Sequence, residues 1–252
     1  MNIEPIAYYH GPMTTKFGLP RQSGLAPDLP GTIVFEPRFR QPEAVRGLEG
    51  FSHLWLVWGF SANRHTGGSS LSNCRAVDSP ENESMQTESL TVRPPRLGGN
   101  SRVGVFASRS PFRPNGLGLS CVRMNKVEAT PSQGMVIHVL GADLMDGTPV
   151  YDVKPYVAYT DCHPDARCGF VDEQGWQLLT VKLSTELSSR YSTDEQALAG
   201  LRQVLEQDPR PRYHNDPDRV YGIMYDGCDV RFRVSDGVLT VTDIIPLKHH
   251  LT

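Results

Sequence analysis

Between Ser89 and Val127 the sequence carries seven cations, Arg93, Arg96, Arg102, Arg109, Arg113, Arg123 and Lys126, and no aspartate or glutamate. Guanidinium groups present flat, paired donors that match carboxylates and phosphates. The interleaved Gly98, Gly99, Gly116 and Gly118 allow backbone amides to approach a ligand, while Pro94, Pro95, Pro111 and Pro114 stiffen the loops between them. Such a stretch calls for an anion, either a bound ligand or acids elsewhere on a solvated basic face. The formal net charge of the whole chain is -3, so any such demand is local. Asp-Gly-Thr-Pro, at 146–149, is by itself good turn chemistry. The histidines are scattered, and apart from the terminal pair His249 and His250 none has metal-ligand spacing, so no metal is expected. His53 lies inside an apolar run and reads as a core histidine. Glycine-rich dinucleotide and phosphate loops, the His-Glu-x-x-His zinc motif and the Gly-x-Ser-x-Gly nucleophile turn are all missing.

The elements that must hold these residues are mostly strands. IEPIAYYH near the start, TIVFE at 32–36, HLWLVWGF at 53–60, RVGVFAS at 102–108, LSCVRMNKVEA at 119–129 and MVIHVLGA at 135–142 have strand patterning. HLWLVWGF is apolar nearly throughout and suits a strand covered on both faces, whereas RVGVFAS alternates as a half-buried strand does. A short helix is expected at QPEAVRGLE, with Pro42 in its first turn. A longer one is expected at TDEQALAGLRQVLEQDP, with Thr193 and Gln196 at capping-box spacing and Leu198, Leu201, Val204 and Leu205 on one face. RVYGIMY, DVRFRVS and GVLTVTDI add three strands after it. The pattern predicts a mainly β protein, with a β-built N-terminal domain and a small α/β C-terminal domain. Residues 69–89 are polar and aperiodic and read as a long inserted loop, a tolerated surface insertion or a lid.

With 252 residues, 38% hydrophobic and 21% charged, the chain suits one or two ordinary globular domains. No apolar run is long enough to span a membrane, and MNIEPIAYYH lacks a secretory pattern, so a cytoplasmic location and no membrane partner are expected. The five cysteines are odd in number without Cys-x-x-Cys spacing, which argues against a disulfide framework or structural zinc.

Five strings, GLPRQSGL (18–25), EAVRGLEGFSHLWLVW (43–58), TVRPPRLGGNSRVGVFASRSPFRPNGLGLS (91–120), GADLMDGTPVYDVKPYVAY (141–159) and VLEQDPRPRY (204–213), resemble the TrmO family, also called TsaA-like. The resemblance runs in order through nearly the whole chain. It implies a closed β-barrel N-terminal domain (1–160), a small α/β C-terminal domain (161–252) and a homodimer. The implied activity is S-adenosylmethionine-dependent methylation of tRNA, at N6 of the threonylcarbamoyladenosine beside the anticodon of a threonine tRNA.

Carried over residue by residue, the family's Pro-Arg-Gln turn falls on Pro20, Arg21 and Gln22, and its Ala-Ser/Thr-Arg on Ala107, Ser108 and Arg109. Its Gly-Leu/Met-Ser falls on Gly118, Leu119 and Ser120, and its Asp-Leu-x-Asp-Gly on Asp143 to Gly147. The implied cofactor residues are Pro20, Arg21, Gln22, Ser61, Arg109, Leu119, Gly141, Asp143 and Asp146. In this reading Arg21 or Arg109 holds the cofactor carboxylate, and Asp143 or Asp146 accepts from its ribose hydroxyls or ammonium. RNA contacts are expected from Arg93, Arg96, Phe112 and Arg113, and from Arg210, Arg212 and Tyr213 of the second domain, against the anticodon arm. No residue is singled out as catalytic. The chain departs from the pattern at Ser61 and Ala62, where relatives carry a polar pair, and at the 69–89 insertion. Two other classes fit the same residues: a non-catalytic S-adenosylmethionine- or RNA-binding module, and a metal-dependent phosphoesterase on Asp143 and Asp146, which the lack of clustered ligands disfavours.

Overall fold

Alternating apolar residues punctuated by glycine and proline give short strands whose buried sides must find one another. The computed structural model describes residues 2–61, 90–94, 101–172, 177–210 and 216–247. Its first eight strands are β1 (Ala7–His10), β2 (Pro30–Phe35), β3 (His53–Gly59), β4 (Thr91–Val92), β5 (Val103–Gly104), β6 (Leu117–Thr130), β7 (Gly134–Leu140) and β8 (Thr148–Pro155). Six of them pair in the order β1-β2-β7-β6-β3-β8 and close into a barrel, while β4 and β5 form a separate two-stranded ribbon. Every pairing in the barrel is antiparallel. Inward-facing residues such as Tyr9, Ile33, Leu54, Leu56, Val122, Ile137 and Val150 fill it, so the interior is a packed core.

A short helix α1 (Pro42–Val45) starts at Pro42 as its sequence suggests, and α2 (Ala158–Asp161) follows the barrel. Beyond α2 come β9 (Thr180–Lys182), α3 (Thr185–Tyr191), α4 (Glu195–Glu206), β10 (Tyr221–Tyr225), β11 (Cys228–Ser235) and β12 (Val238–Pro246). Here β10, β11 and β12 pair antiparallel and β9 adds to β12 in parallel. One face of this four-stranded sheet is buried against α4 through Leu201, Val204 and Leu205. Met13, Ala26 and Leu29, from the segment joining β1 to β2, complete that second core. The β1–β2 segment is thus held between the barrel and the C-terminal sheet, with a contact from each side.

Several local expectations are corrected. RVGVFAS is not one strand: only Val103 and Gly104 pair, and Val105–Ala107 coils into a 3-10 turn. Alternation there reflects one anchor, Val105, buried below an exposed Phe106. The α4 cap is Asp194, which accepts from the Gln196 amide, and not Thr193. Leu198 is only half-buried, because the docked stripe is Gly200, Leu201, Val204 and Leu205. Strand β3 alternates between a fully buried inner row and a half-buried outer row. Its outer Trp55 donates to Asp161 at 3.0 Å and lies against Tyr156. His53, at the start of β3, is half-buried and bonds to Ser52, so it is not enclosed in the core. The sequence pattern assigns none of β8, β9 and α3; β8 carries a proline, Pro149, at its second position and β9 has three residues, too few for a periodicity. The 69–89 insertion lies outside the described residues.

Candidate cofactor site

Three stretches meet at one end of the barrel, the second and third of them consecutive in the chain. The first is the β1–β2 segment, in which Pro20 is buried and Arg21 and Gln22 are half-buried. It is pinned where the Gly24 amide donates to the Gly141 carbonyl at 2.8 Å and the Gly141 amide donates to the Leu29 carbonyl at 2.9 Å. Gly141 has φ +78°, a left-handed turn that lets β7 stop and reverse toward this segment. The chain then alternates, with Ala142 and Leu144 buried in the barrel end and Asp143 turned the other way.

The second stretch supplies Arg109. Val105 anchors its 3-10 turn, and serines tie the following loop: the Ser108 hydroxyl donates to the Val105 carbonyl at 2.9 Å and accepts from the Ser110 amide at 3.3 Å. Arg113 donates to the Ser108 carbonyl at 2.7 Å, so its guanidinium braces this loop. Arg109 then reaches across to Gln22, donating to Oε1 at 2.5 Å. Ser61, just beyond β3, is half-buried beside this loop, where the Phe60 amide donates to the Gly116 carbonyl.

The third stretch is β6. Gly118 sits opposite Trp58, and a Cβ there would lie 2.3 Å from the indole. That close approach lets the Trp58 Nε1–H donate to the Ser120 hydroxyl at 3.0 Å, and Ser120 in turn donates to Asp143 at 2.5 Å. Leu119, with the opposite orientation, is 56% exposed.

Asp143 is the centre of the arrangement. Burial pushes its carboxyl above the ordinary aspartate range, against the Ser120 hydroxyl, its own and the Ser23 backbone amides, and the Arg109 charge, which all favour ionisation. A partly desolvated carboxylate facing a guanidinium across a loop of backbone donors is a place where a ligand bearing both charges can be held. Asp146 diverges from it: its carboxylate bonds to His10 Nδ1 at 3.1 Å and to the Gly11 amide at 3.3 Å.

The remaining RNA-directed residues are spread out. Arg93 is exposed, and Phe112 is 62% exposed. Arg210 is committed to Asp208, with bonds of 2.8 and 2.9 Å to its two oxygens. Arg96, Arg212 and Tyr213 lie outside the described residues. Sequence reasoning missed Trp58, Ser23 and His10 as neighbours of these groups; nothing in an apolar strand marks one tryptophan as a donor. A groove of about 370 Å³ lies elsewhere, between the outer barrel wall and the C-terminal unit, lined by His10, Thr32, Asn125, His138, Tyr191 and Asp226 among others. Among the described residues no group of three His, Cys, Asp or Glu side chains can hold a metal ion, and no helix is long and apolar enough to cross a membrane.

The family model of the tRNA-methyltransferase O N-terminal domain matches residues 8–162, and that of the TrmO C-terminal domain matches residues 177–247. A tRNA (adenine(37)-N6)-methyltransferase of Escherichia coli (strain K12) is 34% identical over 250 residues, covering 97% of each chain. A Pseudomonas aeruginosa protein named as a putative S-adenosylmethionine-dependent methyltransferase, RcsF, is 38% identical over 238 residues, covering 92% of this chain and 91% of its own. The crystal structure of TrmO from Pseudomonas aeruginosa superposes with a TM-score of 0.72 at 32% identity, covering 98% of this chain and 97% of the other. The closed barrel, the appended sheet and these full-length matches agree: the chain belongs to the TrmO family.

Proposed function

We propose that this chain is an S-adenosylmethionine-dependent methyltransferase that modifies N6 of adenine 37 in tRNA, and that its preferred base carries the threonylcarbamoyl group of a threonine tRNA. The observation that carries the reading is the meeting of Arg109, Gln22, the Ser23 amide, Ser120 and Asp143 at the end of the barrel. The relatives' names supply the reaction. The donor set fits the cofactor, which has a carboxylate, an ammonium, a ribose diol, an adenine and a sulfonium. Arg109 suits the carboxylate, with the Pro20–Arg21–Gln22 turn closing over it. Asp143 suits a hydroxyl pair or the ammonium, and an ionised carboxylate in a partly desolvated pocket is also favourable near a sulfonium. Ser61, Leu119 and Gly141 line the approach, while Asp146 acts through His10 and the Gly11 amide to shape the β1 end of the loop.

When bound, the cofactor supplies a methyl group for in-line displacement by a nitrogen nucleophile. The chain contributes position: the braced 105–116 loop and the pinned β1–β2 segment hold their donors without further ordering on binding. Arg93 and the exposed ring of Phe112 lie in the acid-free stretch and suit phosphate contact and stacking on a displaced base. Arg96, Arg212 and Tyr213 keep this assignment from the sequence alone, whereas Arg113 and Arg210 serve it by fixing their loops. A homodimer and a cytoplasmic location complete the reading, as does a division into a barrel domain, 1–160, and a C-terminal domain, 161–252.

The test is transfer of labelled methyl from S-adenosylmethionine to total tRNA from cells lacking this enzyme. Labelling is expected there and not with tRNA from cells unable to make threonylcarbamoyladenosine. Equal labelling of both would overturn the modified-base assignment. Cofactor binding without transfer to either would return the chain to a non-catalytic binding module.

A further inference from the structure

The face of the C-terminal sheet that turns away from α4 is open. Along β11 the residues alternate, with Val230, Phe232 and Val234 buried and Arg231, Arg233 and Ser235 exposed. Strands β9 and β12 alternate in phase, so Thr180, Lys182, Thr240 and Thr242 are exposed on the same side. The register sets Arg233 opposite Thr240, and Thr240 opposite Lys182. The three therefore stand in one row across adjacent strands, which places the two cationic Cα atoms about 10 Å apart.

This row differs from the rest of the surface in what its charges do. Nearly every other lysine or arginine among the described residues is engaged: Arg231 pairs with Asp229 at 2.9 Å and Arg190 with Asp243 at 3.7 Å on this same sheet. Among the described residues, Arg93, Arg167, Lys182 and Arg233 are the cations with no carboxylate, hydrogen-bond or ring partner, and two of these four flank Thr240. Asp236, at the β11–β12 turn, accepts a bond from the Ser235 hydroxyl. Thr180, Thr240 and Thr242 are exposed on the same face. Lysine, arginine and threonine without acids are the groups that contact nucleic-acid phosphates, where they fix orientation without reading bases.

We propose that this open sheet face is a second contact surface for the RNA sugar-phosphate backbone, with Lys182, Thr240 and Arg233 as its phosphate-holding row. It rests on the tRNA substrate reading above and adds to it a surface on the opposite side of the C-terminal sheet from the core that supports the cofactor loop. Because Arg210 is held by Asp208, this row offers the C-terminal domain available cations for RNA.

The experiment compares the full-length protein with the Lys182→Ala/Arg233→Ala double variant, and with Lys182→Gln/Arg233→Gln, which keeps side-chain bulk on the strands. Affinity for tRNA is measured between 0.1 and 1 M salt, alongside affinity for S-adenosylmethionine. Each phosphate contact contributes about 0.9 to the slope of log affinity against log salt, so two contacts change affinity about 60-fold over that tenfold range. The expected result is a roughly 10- to 60-fold loss of tRNA affinity at 0.1 M salt, a slope shallower by about 2, convergence near 1 M salt, and unchanged cofactor affinity. If both variants match the wild type in tRNA affinity and slope while the wild type binds and methylates tRNA, the sheet-face proposal is overturned and the enzyme reading stands. If the wild type itself shows no affinity for tRNA, both fall.

Discussion

Ser120 joins the barrel core to the candidate site, and its removal has a cost that can be worked from the structure. It is 2% exposed, accepts from the Trp58 indole and donates to Asp143. Ser120→Ala leaves the Trp58 N–H without an acceptor in a place closed to water, which costs about 1 to 3 kcal/mol. For a chain of this length that corresponds to a fall of about 2 to 12 °C in Tm. The same change strips Asp143 of a bond that favours its ionised form, so its carboxyl, already raised by burial, moves further up. Urea unfolding gives the stability change, read as a lower midpoint at constant slope. The decisive arm is a double-mutant cycle with Trp58→Phe, which removes the indole donor: in that background Ser120→Ala is expected to cost about 1 kcal/mol less. An identical cost in both backgrounds refutes the reasoning, because the penalty would then come from somewhere other than the orphaned indole.

Asp143→Asn separates stability from binding. Because burial raises this carboxyl in the folded chain, the folded state holds its proton more tightly than the unfolded one, and stability is lost as pH rises from the ordinary aspartate value through the raised one. The asparagine variant should therefore be at least as stable as the wild type at neutral pH, with the difference vanishing below about pH 3, while cofactor affinity falls; a variant less stable at neutral pH contradicts this. Arg109→Ala is expected to weaken S-adenosylmethionine binding by about 1.5 to 3 kcal/mol by calorimetry, as loss of a hydrogen bond to a charged group does, and unchanged affinity removes Arg109 from the site. Leu201→Ala, at a position 0% exposed in the core that α4 shares with Met13 and Leu29, should cost about 2 to 5 kcal/mol in urea unfolding; a cost under about 1 kcal/mol would mean that α4 is not docked there.

What was legible in the sequence was what local chemistry controls. Period-two patterning marked β1, β2, β6 and β7, and proline and glycine marked their ends. The acid-free arginine stretch pointed to an anion before any fold was known. It did not distinguish Arg109, which reaches across to Gln22, from Arg113, which holds its own loop carbonyl. Those two are four residues apart in similar company, and only the direction of each side chain separates them.

Residue spacing by itself determined that this chain is mainly β, ends in a smaller mixed unit, and carries seven cations in one glycine-rich stretch without an acid of its own. Tertiary structure alone decided which carboxylate faces Ser120 and Arg109. Asp143 and Asp146 look alike in ADLMDGTP, yet one is drawn in by Ser120 and Ser23 and the other out to His10. The reason is physical: a left-handed turn at Gly141 and the burial of Ala142 and Leu144 set the direction of the chain, and those constraints come from packing against residues more than a hundred positions away.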